Sequence, residues 1–199
     1  YLVASTLLFV RPLTRSIMLA VILVPFWTNV LIRCYAWILI LQQRGFANLI
    51  LFDTLHVVDE RLSLLFHFTS VMIGLVHFLI PVHILILYTS MQRIDLRLMQ
   101  AAKGLGANPI LAALYIFVPL SMPGVLASSL LVFVTSLGFF VTPALLGGAR
   151  QITLAMQINT YFTDTVDWAL GSALATILLV VTLVFIAIYF AIQRDKASR

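Results

Sequence analysis

Acid is scarce in this sequence. Asp and Glu number 7 and Lys and Arg 12 in 199 residues, so only 10% of the chain is charged. A soluble domain carries about a quarter charged and about half apolar residues, whereas 62% of this chain is hydrophobic and its mean hydropathy is +1.11. A globule of this length still has a large surface, and the polar side chains are too few to cover it. A lipid bilayer is the solvent that fits. Cysteine is nearly missing as well: Cys34 stands alone, which excludes an internal disulfide and a Cys-cluster metal site. No G-x-x-x-x-G-K-[ST] run occurs, so the chain has no such cradle for nucleotide phosphates.

What is present is a series of long apolar runs. Residues 1–10 are apolar but too short to span, since about 20 residues are needed. With no initiator Met and no signal-peptide pattern, they read as the tail of a helix whose start lies outside this chain. The runs 16–41, 63–90, 119–145 and 168–192 are each long enough to cross with tilt. Pro25 interrupts the first, and Pro81 lies in the middle of the second. The expected architecture is therefore all-α and polytopic: a single domain over 1–199 with about five transmembrane helices, four complete and one partial. The first span and part of the second are expected to be missing.

Between two spans lies Gln100–Pro119, QAAKGLGANPILAALYIFVP. Asp95 is placed to cap a short helix ending near Lys103, and Gly104 and Gly106 are suited to stop it, because glycine tolerates a left-handed φ. Asn108 followed by Pro109 reads as a new N-cap with proline in the first turn. The expectation over about 95–119 is helix, tight turn, helix, then a span.

Positive-inside counting sets an orientation. With this stretch inside, its side holds Arg11, Arg15, Arg93, Arg97, Lys103, Arg194, Lys196 and Arg199, eight of the twelve cationic residues. The other side holds Asp53, Asp59, Glu60, Asp164 and Asp167, five of the seven acids. The net charge of +5 thus follows topology, and no nucleic-acid partner is expected.

The spacing of Gln100, Ala101, Ala102, Gly106, Ile116, Val118 and Pro119 resembles the EAA loop of ABC-importer permeases: EAA, three residues, G, nine residues, I-x-L-P. Gln100 stands where that family usually has Glu, and Val118 where it usually has Leu. The blocks at 25–37, at 139–151 and after the Pro81 span resemble the spermidine/putrescine branch, first-permease type. The resemblance implies a type I ABC-importer (MetI-like) fold in a bacterial inner membrane, with the loop and the C-terminus cytoplasmic. It implies two cytoplasmic ATPases that use ATP and Mg, a second permease and an external solute-binding protein, with no cofactor held by this chain. Gln100, Ala101, Ala102, Gly106, Asn108, Pro109, Ile116 and Pro119 would then form the ATPase-coupling element, and the transported solute would be a polyamine.

The candidate substrate pathway comprises Trp27, Asn29, Arg33, Tyr35, Tyr161, Asp164 and Asp167. Trp27, Tyr35 and Trp37 offer ring faces to ammonium groups, or else form an interfacial aromatic belt. Asp164 and Asp167 either draw cations to a vestibule or sit on a solvated, binding-protein-facing loop. Arg33 repels polycations; it pairs with a partner's acid, lies at the rim, or signals an anionic or zwitterionic solute. His67, His77 and His83 lack the i, i+4 spacing of a close helical pair and read as tolerated polar positions. Gly124 with Ser128 and Gly171 with Ala175 are small-xxx-small pairs that suit close helix packing. An intramembrane histidine-dependent enzyme and an autonomous channel are the competing classes.

Overall fold

The computed structural model describes residues 1–56 and 60–197. Asp59 and Arg199, counted above among the loop charges, lie outside the described residues, as does the side chain of Lys196. The described residues form helices and turns, with no strand among them. In chain order they are α1 (Leu2–Phe9), α2 (Pro12–Trp27), α3 (Val30–Leu41), the short α4 (Phe46–Asn48) running into a π-helical turn (Leu49–Thr54), α5 (Phe68–Met91), α6 (Arg97–Gly104), α7 (Pro109–Ala112) with a second π-helical turn (Ala113–Phe117), α8 (Val118–Leu137), α9 (Val141–Leu146), α10 (Leu154–Thr163) and α11 (Trp168–Ala197).

Three described helices are long and apolar enough to cross a membrane: Phe68–Met91, Pro109–Leu137 and Trp168–Ile192. A fourth span exists only if Pro12–Trp27 and Val30–Thr54 are taken together, and that pair bends by 94°. Residues 16–41 are therefore not the continuous helix the apolar run suggests. Pro25 has no N–H to donate and disturbs the turn before it, and Asn29 then restarts the chain as an N-cap, its Oδ1 accepting from Leu31 N–H at 2.8 Å. Pro81, by contrast, sits inside an unbroken α5. The run 119–145 also divides, because α8 stops at Leu137 and α9 begins at Val141.

The chain gathers into two compact units. The first comprises Tyr1–Leu23, Ile80–Phe133 and Val184–Arg199, and the second Val24–Leu79 and Val134–Leu183. In the first, Ala4, Leu7, Ile84, Leu87, Tyr88, Met91 and Phe117 form the buried core. Gly124 is there because α8 comes so close to α5 that a Cβ would lie 2.2 Å from Ser90 Oγ. In the second, Cys34, Leu41, Val71 and Leu146 are the buried centre. Gly74 of α5 permits a similar approach, since its Cβ would stand 2.7 Å from the Thr142 methyl on α9. Ser70 Oγ adds a donor to the Leu146 carbonyl at 2.7 Å.

Candidate functional site

Two places in the molecule carry unusual local structure, one in each unit. The first is the hairpin α6–α7. Asp95 Oδ1 accepts from Arg97 N–H at 2.9 Å, opening α6. Gly104 is the last residue of α6 itself rather than its terminator, and the left-handed turn falls on Gly106 alone, at φ +87°. A Cβ at Gly106 would meet nothing within 4 Å, so glycine is required there by backbone conformation and not by space. Asn108 Oδ1 then accepts from Ile110 N–H at 3.0 Å, with Pro109 in the first turn of α7. Gln100, Ala101, Gly106, Asn108 and Pro109 are all exposed, Ala102 is half-buried, and Phe117 anchors the following turn in the core. Ile116 and Pro119 lie in the second π-helical turn and the start of α8. A rigid, capped, solvent-facing helix pair ending in a buried anchor is suited to receiving a push from outside.

The second place surrounds Phe78 on α5. Its ring is T-shaped against Phe139, with centroids 4.6 Å apart, and tilted against Phe26 at 6.0 Å. The Arg33 guanidinium lies over Phe78 at 5.0 Å from the ring centre. Val30, Phe78 and the non-helical stretch Gly138–Phe140 with Val141 line an open, apolar cleft of about 270 Å³. Two interruptions meet there: the α2–α3 elbow and the gap between α8 and α9. In a bilayer, backbone outside a helix is tolerated only where protein or a cavity surrounds it, and here the non-helical stretch and the rings of Phe78, Phe139 and Phe140 line one cleft. The lining residues include no nucleophile.

Arg33 is only 7% exposed, and its bonds account for it. Nη2 donates to the carbonyls of Pro25, Phe26 at 3.3 Å and Thr28 at 3.0 Å, and to Thr28 Oγ1 at 3.2 Å, while Nε reaches the same hydroxyl at 3.4 Å. These carbonyls end α2, where four acceptors lack intrahelical partners and the helix dipole favours a cation. The side chain thus closes α2.

The other pathway candidates separate. Asn29 is the α3 cap described above. Trp27 is 85% and Tyr35 59% exposed, and among the described residues neither joins Trp37 in an aromatic wall. Trp37 instead donates its indole N–H to His77 Nδ1 at 3.1 Å, with the rings edge to face, which gives His77 a partner that its spacing from the other histidines concealed. Asp167 Oδ1 caps α11 by accepting from Leu170 N–H at 3.0 Å, and Tyr161 holds the same turn through its carbonyl, 2.8 Å from Asp167 N. Asp164 is exposed and accepts from Thr163 Oγ1 at 3.0 Å. Gly171 packs on the Phe162 ring, where a Cβ would sit at 3.0 Å. The aromatic residues around the cleft, Phe26, Phe78, Phe139 and Phe140, had no periodic signal that separates them from ordinary apolar positions; the interrupted runs at Pro25 and Gly138 were the available clue.

The family model for the binding-protein-dependent transport system inner membrane component matches residues 2–197. The spermidine/putrescine transport system permease protein PotB of Escherichia coli K12 is 35% identical over 180 residues, which covers 90% of this chain and 65% of that protein. PotB of Haemophilus influenzae is 35% identical over 181 residues, or 91% of this chain and 63% of its own. PotC of Escherichia coli K12 is 30% identical over 151 residues, covering 76% and 57%. The chain therefore spans slightly less than two thirds of the PotB proteins it matches. Among solved structures, a bacterial ABC transporter involved in the import of the acidic polysaccharide alginate superposes with a TM-score of 0.78 at 16% identity, over 98% of this chain and 71% of that one. At that identity the likeness concerns the fold.

Proposed function

The chain belongs to the family of binding-protein-dependent transport system inner membrane components, and from that premise we propose that it is a permease subunit of an ATP-driven importer of polyamines. The observation that carries the reading is the exposed α6–α7 hairpin, turned at Gly106 and capped at Asn108. In this reading Gln100, Ala101, Ala102, Gly106, Asn108, Pro109, Ile116 and Pro119 couple the chain to one of two cytoplasmic ATPases, which bind ATP and Mg. A second permease completes the pathway and a solute-binding protein delivers the cargo. The loop and the C-terminus face the cytoplasm, consistent with the cationic residues gathered on that side.

Nucleotide-driven closure of the ATPases moves the hairpin, and α8, which follows it directly, carries the displacement. The ATPases bias a two-state element through differential contacts, as coupling between separate sites requires. The polyamine assignment leans on the names of the PotB and PotC relatives and on the Phe139 and Phe140 rings of the cleft, whose faces attract ammonium groups, the Phe78 ring being taken by Arg33. Arg33, bonded to the carbonyls that end α2, is accounted for without an anionic cargo.

The test is uptake of labelled spermidine and putrescine into vesicles carrying the chain with its partner subunits, with and without ATP. ATP-dependent uptake of either supports the reading. Solute-stimulated ATPase activity with another compound only would keep the permease and discard the polyamine. Gly106→Val should cut uptake at least 10-fold with normal membrane insertion, because a β-branched residue resists positive φ, whereas Gly104→Ala should be silent. Full uptake by Gly106→Val would remove the hairpin from the coupling path.

A further inference from the structure

We propose that the groove between the first two turns of α5 and the segment 150–153 seats one acidic phospholipid, with its headgroup at Arg150 and an acyl chain along α5. Phe68, Val71, Met72 and Leu75 repeat at i, i+3, i+4, i+7 and form one wall of a groove of about 350 Å³, and residues 150–153 form the other. From Phe68 to Leu75 the helix rises about 10 Å. Phe68 is also the first residue of a helix long enough to cross a membrane, so the groove lies along the first turns of a candidate span.

The polar wall is built from donors. Arg150 is exposed, and among the described residues its guanidinium has no ion pair. Arg61, by comparison, is bonded to Asp53 at 3.2 Å. Gln151 has its Oε1 engaged by Gly148 N–H at 2.9 Å, which leaves the amide NH₂ as the group it can offer. Thr153 Oγ1 accepts from Met156 N–H at 3.3 Å and keeps its own hydroxyl proton to give. Three donors with one full positive charge, on one wall of a groove whose other wall is the apolar face of a membrane helix, match a phosphodiester followed by a hydrocarbon chain. A zwitterionic headgroup would bring a second cation to the same wall, so the acidic class is preferred.

The test uses the full-length protein with its partner subunits, exchanged into nanodiscs containing phosphatidylglycerol and phosphatidylcholine in equal amounts, with retained lipid read by native mass spectrometry. Wild type should retain phosphatidylglycerol at least 10-fold over phosphatidylcholine. Arg150→Gln should reduce that preference below 3-fold, Arg150→Lys should keep most of it, and Met72→Trp should lower retention of both lipids by filling the groove. Arg150 and Met72 are both exposed, and an unchanged melting temperature checks that the fold is intact. Equal retention of the two lipids by wild type overturns the proposal, as does an undiminished preference in Arg150→Gln. Displacement of phosphatidylglycerol by millimolar inorganic phosphate would assign the polar wall to a free anion instead. Loss of solute-binding-protein affinity in Arg150→Gln with unchanged lipid retention would assign it to that protein.

Discussion

Two helix junctions, α1–α2 in the first unit and α2–α3 in the second, are closed by the same device. Arg15, the fourth residue of α2, reaches back to the end of α1: Nε donates to the Leu7 carbonyl at 2.9 Å, and Nη2 to those of Leu8 at 3.3 Å and Val10 at 3.5 Å. Arg33, the fourth residue of α3, reaches back to the end of α2 at Pro25, Phe26 and Thr28. The offsets of eight, seven and five residues are identical. What differs is the setting. Arg15 is half-buried within a basic turn, whereas Arg33 is buried, has the Thr28 hydroxyl as a further partner and lies on the Phe78 ring beside the cleft. One geometry thus serves as an ordinary helix stop in the first unit and, in the second, as a helix stop that also packs on the Phe78 ring.

Replacing the two arginines sharpens this contrast. Arg33→Gln should have the larger effect, about 2–3 kcal/mol of stability, because several part-buried hydrogen bonds from a charged donor are lost at once. Thermal unfolding of the protein in detergent measures this. Polyamine uptake should fall as well, since the lining residue Val30 belongs to the same elbow. Arg33→Lys should recover less than half, because a single ammonium does not reproduce the fork that spans several carbonyls. Arg15→Gln should cost about 1 kcal/mol, given its fewer bonds and greater access to water. Equal losses at the two positions would mean that burial and the Phe78 contact add nothing, and the two junctions would be equivalent.

The comparison also explains what could be read from the sequence. The all-α, membrane-spanning class follows from apolar runs, and the α6–α7 hairpin from residues within a few positions of one another: Asp95, Gly106, Asn108 and Pro109 each act on their own turn. Only the Gly104 assignment changed, because two glycines two residues apart leave the choice of turn open. The second unit depends on meetings across the chain. Phe78 touches Phe26 and Phe139, Trp37 bonds His77, forty residues away, and Gly74 opens room for Thr142. None of these partners is marked by local spacing. Arg33 was conspicuous as a cation in an apolar run, yet its partners are backbone carbonyls, which every residue possesses and no motif records.

The smallest effect probes whether the α2–α3 elbow is set by its caps or by its packing. Asn29 accepts one backbone N–H at 2.8 Å on an exposed turn, so Asn29→Ala should cost about 1 kcal/mol, as loss of an N-cap ordinarily does. Asn29→Asp should be neutral or slightly favourable for the start of α3, since a carboxylate caps equally well and suits the positive end of the helix dipole. It would also place an anion four residues before Arg33. If that carboxylate drew the guanidinium away from Pro25 and Phe26, α2 would lose its stop while α3 gained a better start. Melting of Asn29→Asp, Arg33→Gln and the double variant separates the outcomes. Additive changes, within about 0.5 kcal/mol, mean that the cap and the clamp act independently and the α2–α3 bend is fixed by the carbonyl clamp. A coupling energy beyond that range means that the two sides of the elbow compete for the same arginine.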